Sequence, residues 1–239
     1  MHRLHAFLLT IALFLILLGG AFLGFEQIAL DPAVYDRIQA DIGHYDYIGL
    51  SPDAQSRVNA VLADYLAGRR QDIDIEEPLL GVPQQVFNAD EKTHMTDVCH
   101  LFVLERTVRT SCLAAGCILL IVSACFARKT LHRSAVYALK AFLLTLLALA
   151  TALALLWTMN GFERLFILFH KLLFTNDLWL MDPRTDAMIR MFPAEFFMQI
   201  ACESGISALI YGLAFTAAAW LVLFAAGLII NHPRRKQTP

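Results

Sequence analysis

Charge is what this chain has least of: Asp, Glu, Lys and Arg make up 17% of its 239 residues, against 58% hydrophobic ones. That balance does not suit a water-facing fold. The scarcity is also uneven. Residues 6–25, 110–127, 141–162 and 204–230 hold no charged side chain, and a bilayer core needs an apolar helix of roughly 20 residues. Four membrane spans are expected, at about 5–25, 110–127, 138–159 and 204–230. The second is short, but Arg109 and Arg128 at its ends can snorkel toward the headgroups.

Acidic residues are missing from one set of connecting pieces. If the N-terminus is cytoplasmic, the inner side carries Arg3, then Arg128, Lys129, Arg133 and Lys140, then Arg234, Arg235 and Lys236. All 21 Asp and Glu residues then fall outside. This is the asymmetry of the positive-inside rule, so both termini are expected in the cytoplasm. No A-x-A-like cleavage site follows the first apolar run, which reads as a retained anchor. The five cysteines, at 99, 112, 117, 125 and 202, form no CxxC or zinc pattern and read as small packing groups. The expected class is therefore an all-α polytopic membrane protein, a single membrane domain over 1–239 with amphipathic or interfacial helices on its outer face.

What polarity there is lies in two outer segments. In the first, about 26–109, Ser51-Pro52 reads as an N-cap followed by the first helical residue. Val58, Val61, Leu62, Tyr65 and Leu66 repeat at helical spacing up to Gly68, giving a helix at about 52–67. The acidic QDIDIEEP reads as a solvated connector. Asn88 with Glu91 then forms a capping box that opens a motif helix over about 90–109, entering the second span without a break. Glu91, His94 and Asp97 share one face of it.

The second outer segment, 160–203, carries His170 in an apolar run between Phe169 and Leu172. Partial desolvation makes a histidine there costly unless it has a partner or a task. Asn176 to Asp182 reads as a turn, Asp182-Pro183 as the start of a short helix, and Phe192-Pro193 as its end. Pro193 is placed to begin the helix that becomes the fourth span. Trp179, Phe192, Phe196 and Phe197 suit an interfacial segment.

Several readings of the histidines are open from the residues alone. His94 and His170 can be helix-end polar groups satisfied by neighbours. Glu91 and His94 form an ExxH pair that, with His170 and either His100 or Asp97, offers metal ligands, but one ExxH without HExxH falls short of the known patterns. A haem held by two histidines is a further alternative. As an acid/base pair, the two imidazoles titrate near working pH, with Asp97 placed to orient His94. No GxSxG or comparable nucleophile motif is present, so the nucleophile must come from the substrate.

FNADEKTHMTDV around His94 and LFHKLLFTNDLWLMDPRTDAMIRMFPAEFF around His170, with YLAGRRQDIDIEEPL before them, resemble the bacterial lipoprotein intramolecular transacylase (Lit) family. The resemblance implies an enzyme that acts on diacylglyceryl-modified lipoproteins. It moves the sn-2 acyl chain to the α-amine of the N-terminal Cys and leaves the lyso form. It implies His94 and His170 as catalytic residues. Glu91, Asp97, Asn176, Trp179, Asp182 and Arg190 lie in the matching stretches as supporting or substrate-binding groups. Donor chemistry and proximity in sequence, apart from the resemblance, make Arg190 or the Asn176 amide a candidate oxyanion donor. The expected setting is the bacterial cytoplasmic membrane, the active site on its outer face. Lipoprotein and membrane lipid are the expected partners, with no cofactor, metal or nucleic acid. The competing functions are a non-catalytic lipid- or partner-binding membrane protein and a membrane acyl-ester hydrolase.

Overall fold

The computed structural model describes residues 2–43, 48–126 and 130–231. Arg128, Lys129, Arg234, Arg235 and Lys236 of the charge argument lie outside them. In chain order the elements are α1 (His2–Ala29), α2 (Pro32–Ile42), α3 (Pro52–Leu66), β1 (Glu76–Leu79), β2 (Val82–Gln85), α4 (Ala89–Phe126), α5 (Leu131–Leu173), α6 (Ala187–Met191) and α7 (Ala194–Asn231). Four of these helices are long and apolar enough to cross a membrane. The all-α reading holds, with one small hairpin added.

The long helices exceed what crossing requires. The 38 residues of α4 extend about 57 Å at 1.5 Å per residue, against a hydrocarbon core of roughly 30 Å. Its charge-free part, from residue 110 onward, is the segment suited to the membrane, so Glu91, His94 and Asp97 stand beyond the span on the same continuous helix. In α5 the helix breaks at Gly161, whose φ of 71° and ψ of 172° lie in a region open only to glycine. The third span therefore ends before the helical stretch 162–173 that carries His170.

Two compact units divide the chain, Met1–Gly24 with Thr107–Leu155 and Ala208–Pro239, and Phe25–Arg106 with Leu156–Ser207. The first, the span unit, holds its helices by close backbone approach, the device used where lipid removes any hydrophobic drive between helices. A Cβ on Gly212 would sit 2.8 Å from the backbone oxygen of Leu17, and one on Gly20 would sit 3.0 Å from that of Tyr211. Trp220 adds an interhelical hydrogen bond, its Nε1–H donating to the Ala135 carbonyl at 3.1 Å. Leu9, Leu13, Leu131, Phe142 and Leu223 are buried at its centre.

The second, the motif unit, has its own apolar core. Ser51 caps α3 and Pro52 opens it as expected, with Gly68 at φ 77° just beyond its end. A second amphipathic helix, α2, precedes it, capped by Asp31 with Pro32 in the first turn. Val34, Tyr35 and Ile38 of α2 pack with Val58 and Leu62 of α3 and with Met191, Phe192 and Phe196. Phe192 and Phe196 are thus core residues rather than interfacial ones, T-stacked on Tyr35.

The acidic connector is partly ordered. Glu76–Leu79 pairs antiparallel with Val82–Gln85. Leu80 and Gly81, both at positive φ, close a two-residue turn of the type that matches strand twist. Glu77 is buried because Arg57 of α3 holds its carboxylate through two hydrogen bonds of 2.6 Å, which lower its pKa.

Candidate active site

The motif helix starts on the expected capping box. The Asn88 side-chain oxygen accepts from the backbone N–H of Asp90 and Glu91, and Glu91 returns the bond to the Asn88 N–H at 2.7 Å. Its second carboxylate oxygen reaches the Met188 backbone N–H at 2.6 Å, at the start of α6. Glu91 is 1% exposed. Burial raises its pKa, and the two backbone N–H groups oppose that shift. One oxygen thus closes the cap of α4 and the other holds α6 to it. Among the described residues, no three His, Cys, Asp or Glu side chains gather as a metal-binding group.

One turn on from Glu91, His94 faces His170. Both are 7% exposed, and their ring centroids lie 6.3 Å apart with planes 26° from parallel. Phe166, Phe174 and Trp179 enclose His170 at 4.2, 5.5 and 4.9 Å between centroids, and Phe174 also lies 5.0 Å from His94. Phe166 and Phe174 stand four residues either side of His170, a helical spacing already present in the sequence. The neighbours Phe169 and Leu172 are exposed, while Phe166 of the same run packs on the buried imidazole.

Burial pushes the His94 pKa down to about 4, helped by His170 and opposed by Asp97. His170 is lowered by burial too, against the pull of a backbone carbonyl. Both imidazoles are therefore neutral at neutral pH. The His170 Nδ1 lies 2.8 Å from the Phe166 carbonyl oxygen, an acceptor only, so Nδ1 carries the proton and Nε2 has the free lone pair. The His94 Nδ1 is buried with no hydrogen-bond partner, a state native proteins rarely leave without a use.

The other expected site residues divide. Asp97 accepts from the Asn176 amide at 2.9 Å and makes no hydrogen bond to His94 among those described. Asn176 gives its own side-chain oxygen to the Leu178 N–H. Trp179 belongs to the wall around His170. Asp182 heads a turn, accepting from the Arg184 backbone and guanidinium, and the following helix begins at Ala187 rather than at Pro183. The reason is visible in Asp186: its carboxylate returns to the Asp182 N–H, and its other oxygen accepts from Asn88. Arg190 lies near enough to Glu91 for its charge to act on that carboxylate, and its Nε is buried without a hydrogen-bond partner. Gln39 had no signal in the sequence, yet its amide donates to the Met191 carbonyl at 3.0 Å and fixes the far end of α6.

A family model for the lipoprotein intramolecular transacylase Lit matches residues 6–197, most of the chain, including both histidine-bearing stretches. The chain belongs to the Lit family. Its similarity to solved Lit structures extends over the whole fold. It matches the membrane-integral Lit of Bacillus cereus at 23% identity and a TM-score of 0.64, over 95% of each chain. Two variants of that protein, in which a histidine is replaced by arginine or by alanine, match at 22% and 23% identity, each with a TM-score of 0.66. The first covers 96% of this chain and 94% of its own, the second 96% of both. Comparison with curated proteins finds no match. As a Lit protein, the chain is a membrane-integral enzyme that transfers an acyl group within a lipoprotein.

Proposed function

We propose that His94 and His170 are the catalytic pair of this transacylase. In this reading the site lies on the outer face of the bacterial cytoplasmic membrane, with both chain termini cytoplasmic. The observation that carries the proposal is the meeting of two buried, neutral imidazoles from segments 76 residues apart in sequence, 6.3 Å between centroids. The substrate is a diacylglyceryl lipoprotein, and its sn-2 acyl chain moves to the α-amine of its N-terminal Cys.

In this reading the two rings divide the work. An α-amine has a pKa of about 7.7 to 8.0, so a useful fraction is free base at neutral pH. Its lone pair attacks the sn-2 ester carbon, forming the N–C bond and making the nitrogen acidic. The His170 Nε2 takes that proton. Negative charge grows on the carbonyl oxygen, to which neutral His94 donates an N–H; a neutral imidazole kept so by its site serves as such a donor. The C–O bond to glycerol breaks, His170 returns the proton to the departing oxygen, and both rings end as they began. An amide has replaced an ester. Holding amine and ester together supplies most of the barrier reduction, since well-oriented intramolecular reactions gain about 7 to 11 kcal/mol.

The test is expression in a host that makes diacylglyceryl lipoproteins, with the N-terminal lipid structure read by mass spectrometry. The wild-type chain should convert them to N-acyl, S-monoacylglyceryl forms, and His94→Ala and His170→Ala should leave them unchanged. Full activity in either variant would overturn the assignment. Release of free fatty acid with an unmodified amine would instead identify a hydrolase.

A further inference from the structure

The two imidazoles stand on separate segments, and something must set the distance between them. Asp97 is one turn beyond His94 on α4, and Asn176 is six residues beyond His170, in the turn that follows α5. Their side chains meet through the 2.9 Å bond from the Asn176 amide to the Asp97 carboxylate. A carboxylate only accepts, so the amide orientation is forced, and its oxygen is free to take the Leu178 N–H at 3.2 Å. Asn176 thereby both orders its own turn and ties it to the His94 helix. On the opposite side of His94, Glu91 ties the same helix to α6 through the Met188 N–H. His94 is bracketed, one turn away in each direction, by carboxylates bonded to the segment that carries or follows His170.

We propose that Asp97 and Asn176 are a positioning pair, whose hydrogen bond sets the separation of the His94 and His170 rings without touching the reacting atoms. This rests on the two-histidine reading and extends it. Neither residue is an acid, base or oxyanion donor in this assignment: the Asp97 oxygen is directed to the amide, and the amide is directed to Asp97 and its own turn. The pair acts through geometry alone. In a reaction that depends on holding amine and ester in register, a displacement of about 1 Å remote from the chemistry costs on the order of a hundredfold in rate.

The polarity of the bond makes the proposal testable by exchange. Asn176→Asp sets two carboxylates against each other, while Asp97→Asn alone leaves an amide that still accepts from Asn176. The double variant Asp97→Asn with Asn176→Asp restores a donor facing an acceptor, reversed. The full chain in detergent, with a synthetic diacylglyceryl lipopeptide, gives kcat and KM for each. The expected result is a fall in kcat of about ten- to a hundredfold for Asn176→Asp with KM little changed, a smaller fall for Asp97→Asn, and recovery of most of the rate in the double variant. Thermal unfolding of each variant, followed in parallel, shows that the enzyme measured is folded.

Wild-type kcat in Asn176→Asp would overturn the proposal, as would a folded double variant no faster than Asn176→Asp. His94→Ala and His170→Ala are measured alongside. If they too keep wild-type activity, the two-histidine reading falls; if they are inactive while Asn176→Asp is not, the positioning pair alone falls.

Discussion

A histidine whose pKa is lowered by burial leaves its signature in stability. For His94 the unfolded chain binds a proton at the ordinary 6.5, and the native protein only at about 4. Between those values the unfolded state holds more protons. Its contribution to stability is therefore full above 6.5 and is lost as pH falls toward 4. Thermal unfolding in detergent should show the midpoint falling from about pH 7 to about pH 4.5, and His94→Asn should flatten that slope. The rate should follow a different group. With both imidazoles already neutral, kcat/KM should rise with pH through the α-amine range of about 7.7 to 8.0 and level off above it. A lipopeptide whose amine is less basic should move that rise to lower pH. His170 was legible as a candidate because an imidazole in an apolar run is conspicuous, and His94 because Glu91 and Asp97 flank it on one helix face. The Asp97 bond to Asn176 was not: the sequence placed Asp97 to orient the His94 ring, and its partner lies 79 residues away in the chain.

Helices announced by a cap and a period were readable residue by residue: Ser51-Pro52, the Asn88–Glu91 box, and the continuity of α4 into its span. The misses have a common cause, which is stabilisation from elsewhere in the chain. The hairpin depends on Arg57 neutralising Glu77 and on Leu80 accepting a left-handed conformation, and neither shows in EEPL. The short α6 starts late because Asp186 is bonded to Asn88, across 98 residues of sequence. Gly161 carried no signal in the sequence, yet its φ of 71° and ψ of 172° favour glycine alone. Gly161→Ala should cost about 1 to 3 kcal/mol and turn the His170 helix, lowering activity per folded molecule. Gly205, helical and with open space where a Cβ would go, is the matched control. Gly205→Ala should leave activity intact and raise stability slightly, by about 0.5 to 1 kcal/mol. Unfolding midpoints and specific activities of the two variants check both statements.

At the scale of the molecule, hydropathy alone marked out four spans, and charge is the basis of the direction proposed for them. The direction is open to labelling. In a chain with its five cysteines replaced by serine or alanine, Gln71→Cys, exposed in the loop after α3, should react with a membrane-impermeant maleimide on intact cells. Arg133→Cys, also exposed, should react only after permeabilisation. The reverse pattern would invert the assigned topology. What hydropathy cannot reach is that the two polar segments share one core, with α2, α3 and the Phe192–Phe196 cluster buried against one another. Non-local packing of that kind leaves no period in the sequence.

The near-complete enclosure of the two rings bears on fidelity. An activated ester partitions between two nucleophiles, the tethered amine and water, and water is by far the more abundant in the surroundings. Phe166, Phe174 and Trp179 stand around His170, which is 7% exposed, and shield the proposed base from the surrounding water. With His170 as the proposed base, the wall that costs it basicity is also expected to govern which product forms. Trimming it, as in Trp179→Ala, should let the reaction leak, with part of each turnover appearing as fatty acid and lysolipid on an unacylated amine. The ratio of leaked to transferred acyl chain, read by mass spectrometry, would measure how dry the site is kept.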